Sequence, residues 1–268
     1  MKRVTVGLVL GLMIFLASCS EYRKVLKSQD MQYKYDMALN YYKAEKFAKA
    51  YPLLEELYIV YRGSEKGEKI AYYQAKCDYA MNDVLLSAHR FGQFAKNYPN
   101  SEHAEECQFM SAYCNYLMSP KYSLDQADTK KAIRSLQLFT LSYPESERID
   151  TCNSLLDELR QKLEVKEYNS AKLYLKMENY QAAKVAFDNF NKSYPGSVYR
   201  EESTFNALKS GYNLAINSVD EKKMDRVEEA MKAYVNFADR FPQSKKLRDA
   251  ESMYDSLVKL KSEGKKNS

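Results

Sequence analysis

Tryptophan is absent from this chain, histidine occurs twice, and 268 residues include only eight glycines and six prolines. Two histidines and no Cys-x-x-Cys pair leave little from which to build a zinc site. So little glycine and proline removes the punctuation that many short strands need and leaves room for long helices. No nucleophile elbow, phosphate-binding loop or His-Glu-x-x-His helix occurs. The formal charge of +5 on 77 ionised side chains is close to balance, without the strong basic excess that nucleic-acid binding requires. We therefore expect no enzyme, no metal, no cofactor and no nucleic-acid partner.

What is present begins at the N-terminus. Lys2 and Arg3 precede an apolar run from Val4 to Ala17, then Ser18 and Cys19. This is the layout of a secretory signal, and the run is shorter than the roughly 20 apolar residues of a membrane-spanning helix. Leu16-Ala17-Ser18-Cys19 resembles the bacterial lipobox. The resemblance implies that residues 1–18 are removed and that the Cys19 thiol carries a covalent lipid, anchoring the chain without a spanning helix. The alternative is an ordinary signal that happens to end near a cysteine. Residues 19–30 read as a tether. No dense acidic run follows Cys19, which favours the periplasmic face of the outer membrane.

Four of the six prolines fall in one repeated phrase: FAKNYPNS, FTLSYPES, FNKSYPGS and FADRFPQS. The aromatic before each proline serves as an anchor (Tyr98, Tyr143, Tyr194, Phe241), with a degenerate copy at Tyr61 where Arg62 replaces proline. Four residues before the anchors stand Leu57, Phe94, Phe139, Phe190 and Phe237. Seven before stand Leu54, Phe91, Leu136, Phe187 and Tyr234, and eleven before stand Ala50, Ser87, Ala132, Ala183 and Ala230. Steps of three and four put these columns on one face of a helix. Proline ends that helix, and a serine three after each anchor (Ser64, Ser101, Ser146, Ser197, Ser244) is suited to cap the next.

A second helix precedes each of these: QAKCDYAM and SAYCNYLM align without a gap, as do MALNYYKAEKFAKA and SAKLYLKMENYQAA. The unit resembles the 34-residue tetratricopeptide repeat. The expected fold is all-α, a right-handed solenoid of five irregular helix–turn–helix repeats (about 31–63, 64–100, 101–145, 146–196 and 197–243), a closing helix 244–258 and a basic tail 259–268. Extra length falls near SPKYSLDQ, near NSVDEKKMD, and before the fourth repeat, where Ile149, Cys152, Leu156, Leu159 and Leu163 keep the helical step of one long helix. Asp78 and Asn115 stand where such repeats pack apolar residues.

Cys77 and Cys114 share one repeat position, and Cys107 and Cys152 another. Both are small packing columns, although four cysteines allow three disulfide pairings. Aromatics line the first helices: Tyr35, Tyr72, Phe109 and Tyr168 in one column, Tyr42, Tyr79 and Tyr116 in the next. Flat apolar rings with a phenol handle suit a peptide-binding groove. The same rings would equally serve as packing between repeats.

CSEYRKVLKSQD, YKYDMALNYYKAEKFAKAYPLLEELY, DTKKAIRSLQLFTLSYPESE and LEVKEYNSAKLYLKMENYQAA together resemble the BamD family of the β-barrel assembly machinery, in its Bacteroidetes form. That resemblance implies an outer-membrane lipoprotein holding the barrel-forming assembly subunit through its C-terminal repeats and unfolded outer-membrane proteins through its N-terminal ones. The tyrosine columns are the expected substrate grip; Lys245, Lys246 and Arg248 are the expected partner contact, although a solvated helix face would look the same. The competing reading is a repeat lipoprotein that scaffolds cell-wall enzymes.

Overall fold

The computed structural model describes residues 21–264. The signal segment and Cys19 lie outside the described residues. Those described are helical apart from short connections, with no strand among them. A helix over 21–27 is followed by α1 (Met31–Lys43), α2 (Phe47–Tyr61), α3 (Glu65–Ala80), α4 (Val84–Asn97), α5 (Ala104–Leu117) and α6 (Ala127–Ser142). Then come α7 (Ile149–Lys176), α8 (Tyr180–Ser193), α9 (Arg200–Ile216), α10 (Asp220–Arg240) and α11 (Leu247–Gly264). They form two compact units: one up to Pro120 with Asp125–Leu159, the other Lys121–Leu124 with the chain from Arg160.

Within each unit the helices pair as tetratricopeptide-like hairpins, and the anchor-spaced columns are the core. Ala50, Ser87, Ala132, Ala183 and Ala230 are all 0% exposed. Leu57, Phe94, Phe139, Phe190 and Phe237 are also buried. Each buried ring or leucine contributes about 1.5–3 kcal/mol of burial. The small column lets the facing helix approach closely, and the ring four residues before the anchor fills the space beside it. Residues 149–176 form one 28-residue helix.

Three boundaries differ from expectation. The segment expected to be a tether is helical from residue 21, and Val25 is fully buried in the first hairpin's core beside Tyr22. The polar segment NSVDEKKMD is a loop only up to Val219; Asp220 starts α10. Lys259 and Lys261, assigned to the tail, belong to α11, where Lys261 Nζ pairs with Glu228 Oε1 at 2.7 Å.

The serine at each joint also behaves in two ways. Ser64 caps α3 directly, its Oγ accepting the Gly67 N–H at 3.2 Å. At the proline joints the helix starts two residues later, and Ser101, Ser146, Ser197 and Ser244 instead accept the N–H two residues on, at 3.0–3.2 Å. They shape an extra turn rather than cap the helix.

Candidate functional site

The first aromatic column does not stand open. In the N-terminal unit the Tyr35 ring is 8% exposed, with Lys66 Nζ 5.7 Å from its centroid. The Tyr72 ring stacks on His103 at 4.1 Å and 11°. The Arg148 guanidinium lies 5.5 Å over Phe109. The C-terminal unit repeats the device: Tyr199 stacks on Tyr168 at 4.4 Å, and Lys246 Nζ lies 5.2 Å over Phe205. The covering residues Lys66, His103, Arg148, Tyr199 and Lys246 all stand five after an anchor. Each repeat thus seals the aromatic of the one before it by cation–π contact or stacking. Sequence reading missed this covering column, although it is as regular as the columns it found.

Two seals carry a further polar clamp. The Tyr72 hydroxyl donates to Glu106 Oε2 at 2.8 Å, and Lys76 Nζ pairs with Glu106 Oε1 at 2.8 Å. Burial opposes the Glu106 charge, but the bonds from Lys76 and Tyr72 hold its pKa below the ordinary 4.5. Burial and that same carboxylate push the Tyr72 hydroxyl far up. In the C-terminal unit Lys172 Nζ lies 3.5 Å from Glu202 Oε1. There the Tyr168 hydroxyl is buried beside Glu202 without a well-aligned hydrogen bond to it.

The second column is no more open than Tyr72 and Phe109, which are half-buried. Tyr42, Tyr79 and Tyr116 are half-buried. Tyr73 and Tyr113, absent from the sequence reading, extend it: Tyr42 meets Tyr73 at 4.7 Å, and Tyr113 lies 6.0 Å from both Phe109 and Tyr116. The Tyr116 hydroxyl donates to Glu158, which with burial raises it to about 12. The result is a strip of rings along α1, α3 and α5, within one unit.

Asp78 and Asn115 are buried polar staples inside their hairpins. Arg90 Nε lies 2.9 Å from Asp78 Oδ2, an ion pair whose N–H is not aligned on the oxygen. Arg90 also donates to the Tyr51 hydroxyl at 2.7 Å and to Glu55 at 3.2 Å. Burial pushes Asp78 up to about 6 despite Arg90. Asn115 Nδ2 donates to Ser135 Oγ at 3.0 Å.

Of the C-terminal basic cluster, Lys245 and Arg248 are exposed, whereas Lys246 is half-buried over Phe205. Lys245 and Lys246 edge a surface hollow of about 730 Å³ with Glu201, Phe241 and Pro242. Cys77, Cys107, Cys114 and Cys152 are buried free thiols, and burial raises Cys77 and Cys107 to about 12. Such thiols are poor ligands and nucleophiles. Among the described residues no group of His, Cys, Asp or Glu is placed to hold a metal ion. None of their helices is long and apolar enough to cross a membrane.

Residues 27–226 match the YfiO family, described as outer membrane lipoprotein. The chain belongs to the YfiO family. This is the family of BamD, and the match takes in the first four hairpins and the start of the fifth. No curated protein matches the chain. Among solved structures, the tetratricopeptide domain of P58(IPK) aligns at 12% identity and a TM-score of 0.41, over 89% of this chain and 68% of its own. The TPR2AB domain of yeast Sti1, solved as a complex with pHSP90, aligns at 10% identity and a TM-score of 0.38, over 85% of this chain and 98% of its own. The YfiO match, unlike these slight likenesses, bears on what the protein does.

Proposed function

We propose that this YfiO-family lipoprotein is a non-catalytic adaptor of the outer-membrane β-barrel assembly machinery, anchored by a lipid on Cys19 at the periplasmic face. It binds the barrel-forming assembly subunit and unfolded outer-membrane proteins. The observation that carries the reading is the family match over 27–226. The chemistry is compatible with it: buried thiols, helix hairpins and an aromatic strip offer binding surface and no reacting group.

We place the substrate grip on the half-buried strip of Tyr42, Tyr73, Tyr79, Tyr113 and Tyr116, suited to an extended, aromatic-ended peptide. Supporting this choice, Tyr35 is buried, and His103 and Arg148 overlie Tyr72 and Phe109. Of the proposed partner contact, Lys245 and Arg248 are the accessible charges. Purification of the tagged lipoprotein from membranes tests the reading: a stoichiometric barrel-forming subunit supports it, and cell-wall enzymes without that subunit overturn it in favour of an envelope scaffold. Changing Tyr79 and Tyr113 to alanine should weaken crosslinking to the C-terminal peptide of an outer-membrane protein at least tenfold. Reversing Lys245 and Arg248 should weaken co-purification of the barrel subunit.

A further inference from the structure

The helix over 21–27 presents two unlike faces. Val25 is fully buried in the first hairpin's core, and Tyr22 meets the Tyr41 ring edge-on at 5.6 Å. Arg23, Lys24 and Lys27 point the other way and are exposed, and none of them forms an ion pair among the described residues. The nearest part of the hairpin adds to this charge. Lys49 Nζ lies 5.5 Å from the Tyr22 centroid and 5.9 Å from that of Tyr41. Lys43 and Lys46 stand exposed at the turn just beyond Tyr41, where the Lys46 N–H donates to the Tyr41 carbonyl. Against these six bases stand Glu21 on the same helix, Asp30 three residues after Lys27, and Glu45 at the turn.

We infer that this basic end of the first hairpin lies directly on anionic lipid headgroups, as a second, electrostatic attachment beside the lipid. The inference rests on the reading of Cys19 as the lipidated residue. Only Ser20 separates Cys19 from Glu21, and two residue steps reach about 7 Å at most. The start of the docked helix is therefore held at the bilayer surface, and Arg23 and Lys24, within one helical turn of Glu21, sit within roughly one Debye length of the headgroups, with Lys27 about one turn further along. Burial of Val25 fixes the helix to the hairpin, so the attachment constrains the first repeat and not merely a loose leader. A single lipid signal is commonly reinforced by such a basic patch.

The test uses the mature chain with Cys19→Ser, which carries no acyl group, and sedimentation with vesicles. One set is phosphatidylcholine alone; the other contains one-third phosphatidylglycerol. We expect binding to the anionic vesicles only, lost as salt is raised. Neutralising Arg23, Lys24 and Lys27 to glutamine should weaken it about a hundredfold, since each base near an anionic surface is worth roughly fivefold. These side chains are exposed, so the variant should melt with the parent, and circular dichroism checks that it does. Equal binding to both vesicle types, unchanged binding by the variant, or no binding to either would overturn the inference. Binding only to native membranes, abolished by prior trypsin treatment, would overturn it in favour of a protein partner. The mass of the N-terminal peptide from membranes reports lipidation of Cys19 separately, so the two readings fail independently.

Discussion

The joint between the first two hairpins and the joint between the second and third perform the same turn by different means. At Tyr98 the chain leaves α4 with φ −127° and ψ 61°, Pro99 blocks continuation, and an extra turn around Ser101 precedes α5. At Tyr61 the helix runs one residue further, Arg62 is extended at φ −54° and ψ 129°, and Gly63 takes φ 82°. Ser64 then caps α3 at once. The joint that lacks proline is the tighter one, and it is closed by glycine twice. Proline forbids the helix; glycine permits the chain to turn back without it.

The largest expected effect breaks the tight joint alone. A Cβ on Gly67 would lie 2.1 Å from the Tyr61 carbonyl oxygen and 2.9 Å from its carbon, both backbone atoms. Gly67→Ala should cost about 3 kcal/mol or more, because rigid backbone must move. The matching residue of the next joint, six after the anchor, is already Ala104, buried without strain. Urea unfolding of the variant checks this; a loss below about 1 kcal/mol would show that the joint relaxes freely.

The second prediction concerns what each joint covers. Tyr72→Phe removes the hydroxyl bond to Glu106 and leaves that carboxylate with Lys76 alone, at a cost of about 1–3 kcal/mol. Among the described residues Tyr35 has no side-chain hydrogen-bond partner at the first joint, where Lys66 overlies its ring. Tyr35→Phe should therefore change stability by no more than about 0.5 kcal/mol. Equal losses in chemical denaturation would erase the distinction.

Acid sharpens the same contrast. The folded-state pKa of Glu106 is lowered, so its stabilisation is present above the unfolded value near 4.5 and is lost as pH falls through the folded value. Asp78 runs the other way: its folded pKa is raised to about 6, so its contribution falls as pH rises from its ordinary value of 3.8 to about 6 and is flat above. In Tyr72→Phe, the acid-side loss below pH 4.5 should shrink while the fall between roughly pH 4 and 6 persists. Melting temperature against pH for the variant and the parent separates the two.

The core ladder was legible because its columns lie on a single helix, where the period of 3.6 ties spacing to face. The long α7 was legible for the same reason. The seals were not, because each joins residues 31 or more apart, such as Tyr72 and His103, and the intervening hairpin decides whether they meet. A trace was nonetheless present. Two of the three tyrosines in the sealed column coincide with glutamate eight after the next anchor, Tyr72 with Glu106 and Tyr168 with Glu202, whereas Tyr35 has Lys69 and Phe109 has Thr151 at that position. The aromatic columns read as one groove are thus two: one overlain at each joint by the next repeat, and a half-buried one along Tyr79 and Tyr113. The helix over 21–27 was obscured because one buried valine is too little periodicity to register.

The smallest effects come from the serines themselves. Ser64 satisfies an orphan N–H of α3 through the Gly67 amide, and its hydroxyl also donates to the Tyr61 carbonyl at 2.7 Å, tying the two helices together. Ser64→Ala should cost about 1 kcal/mol, the usual worth of such a cap. Ser101 accepts only the His103 N–H within the extra turn, at 3.2 Å. The Pro99 joint already sets that turn's course, so Ser101→Ala should lie within about 0.5 kcal/mol of the parent. If the two alanines cost the same, serine has one role at these two joints, and the difference in helix start is of no energetic consequence. If Ser64 alone matters, the missing proline at Arg62 is compensated by the cap as well as by glycine.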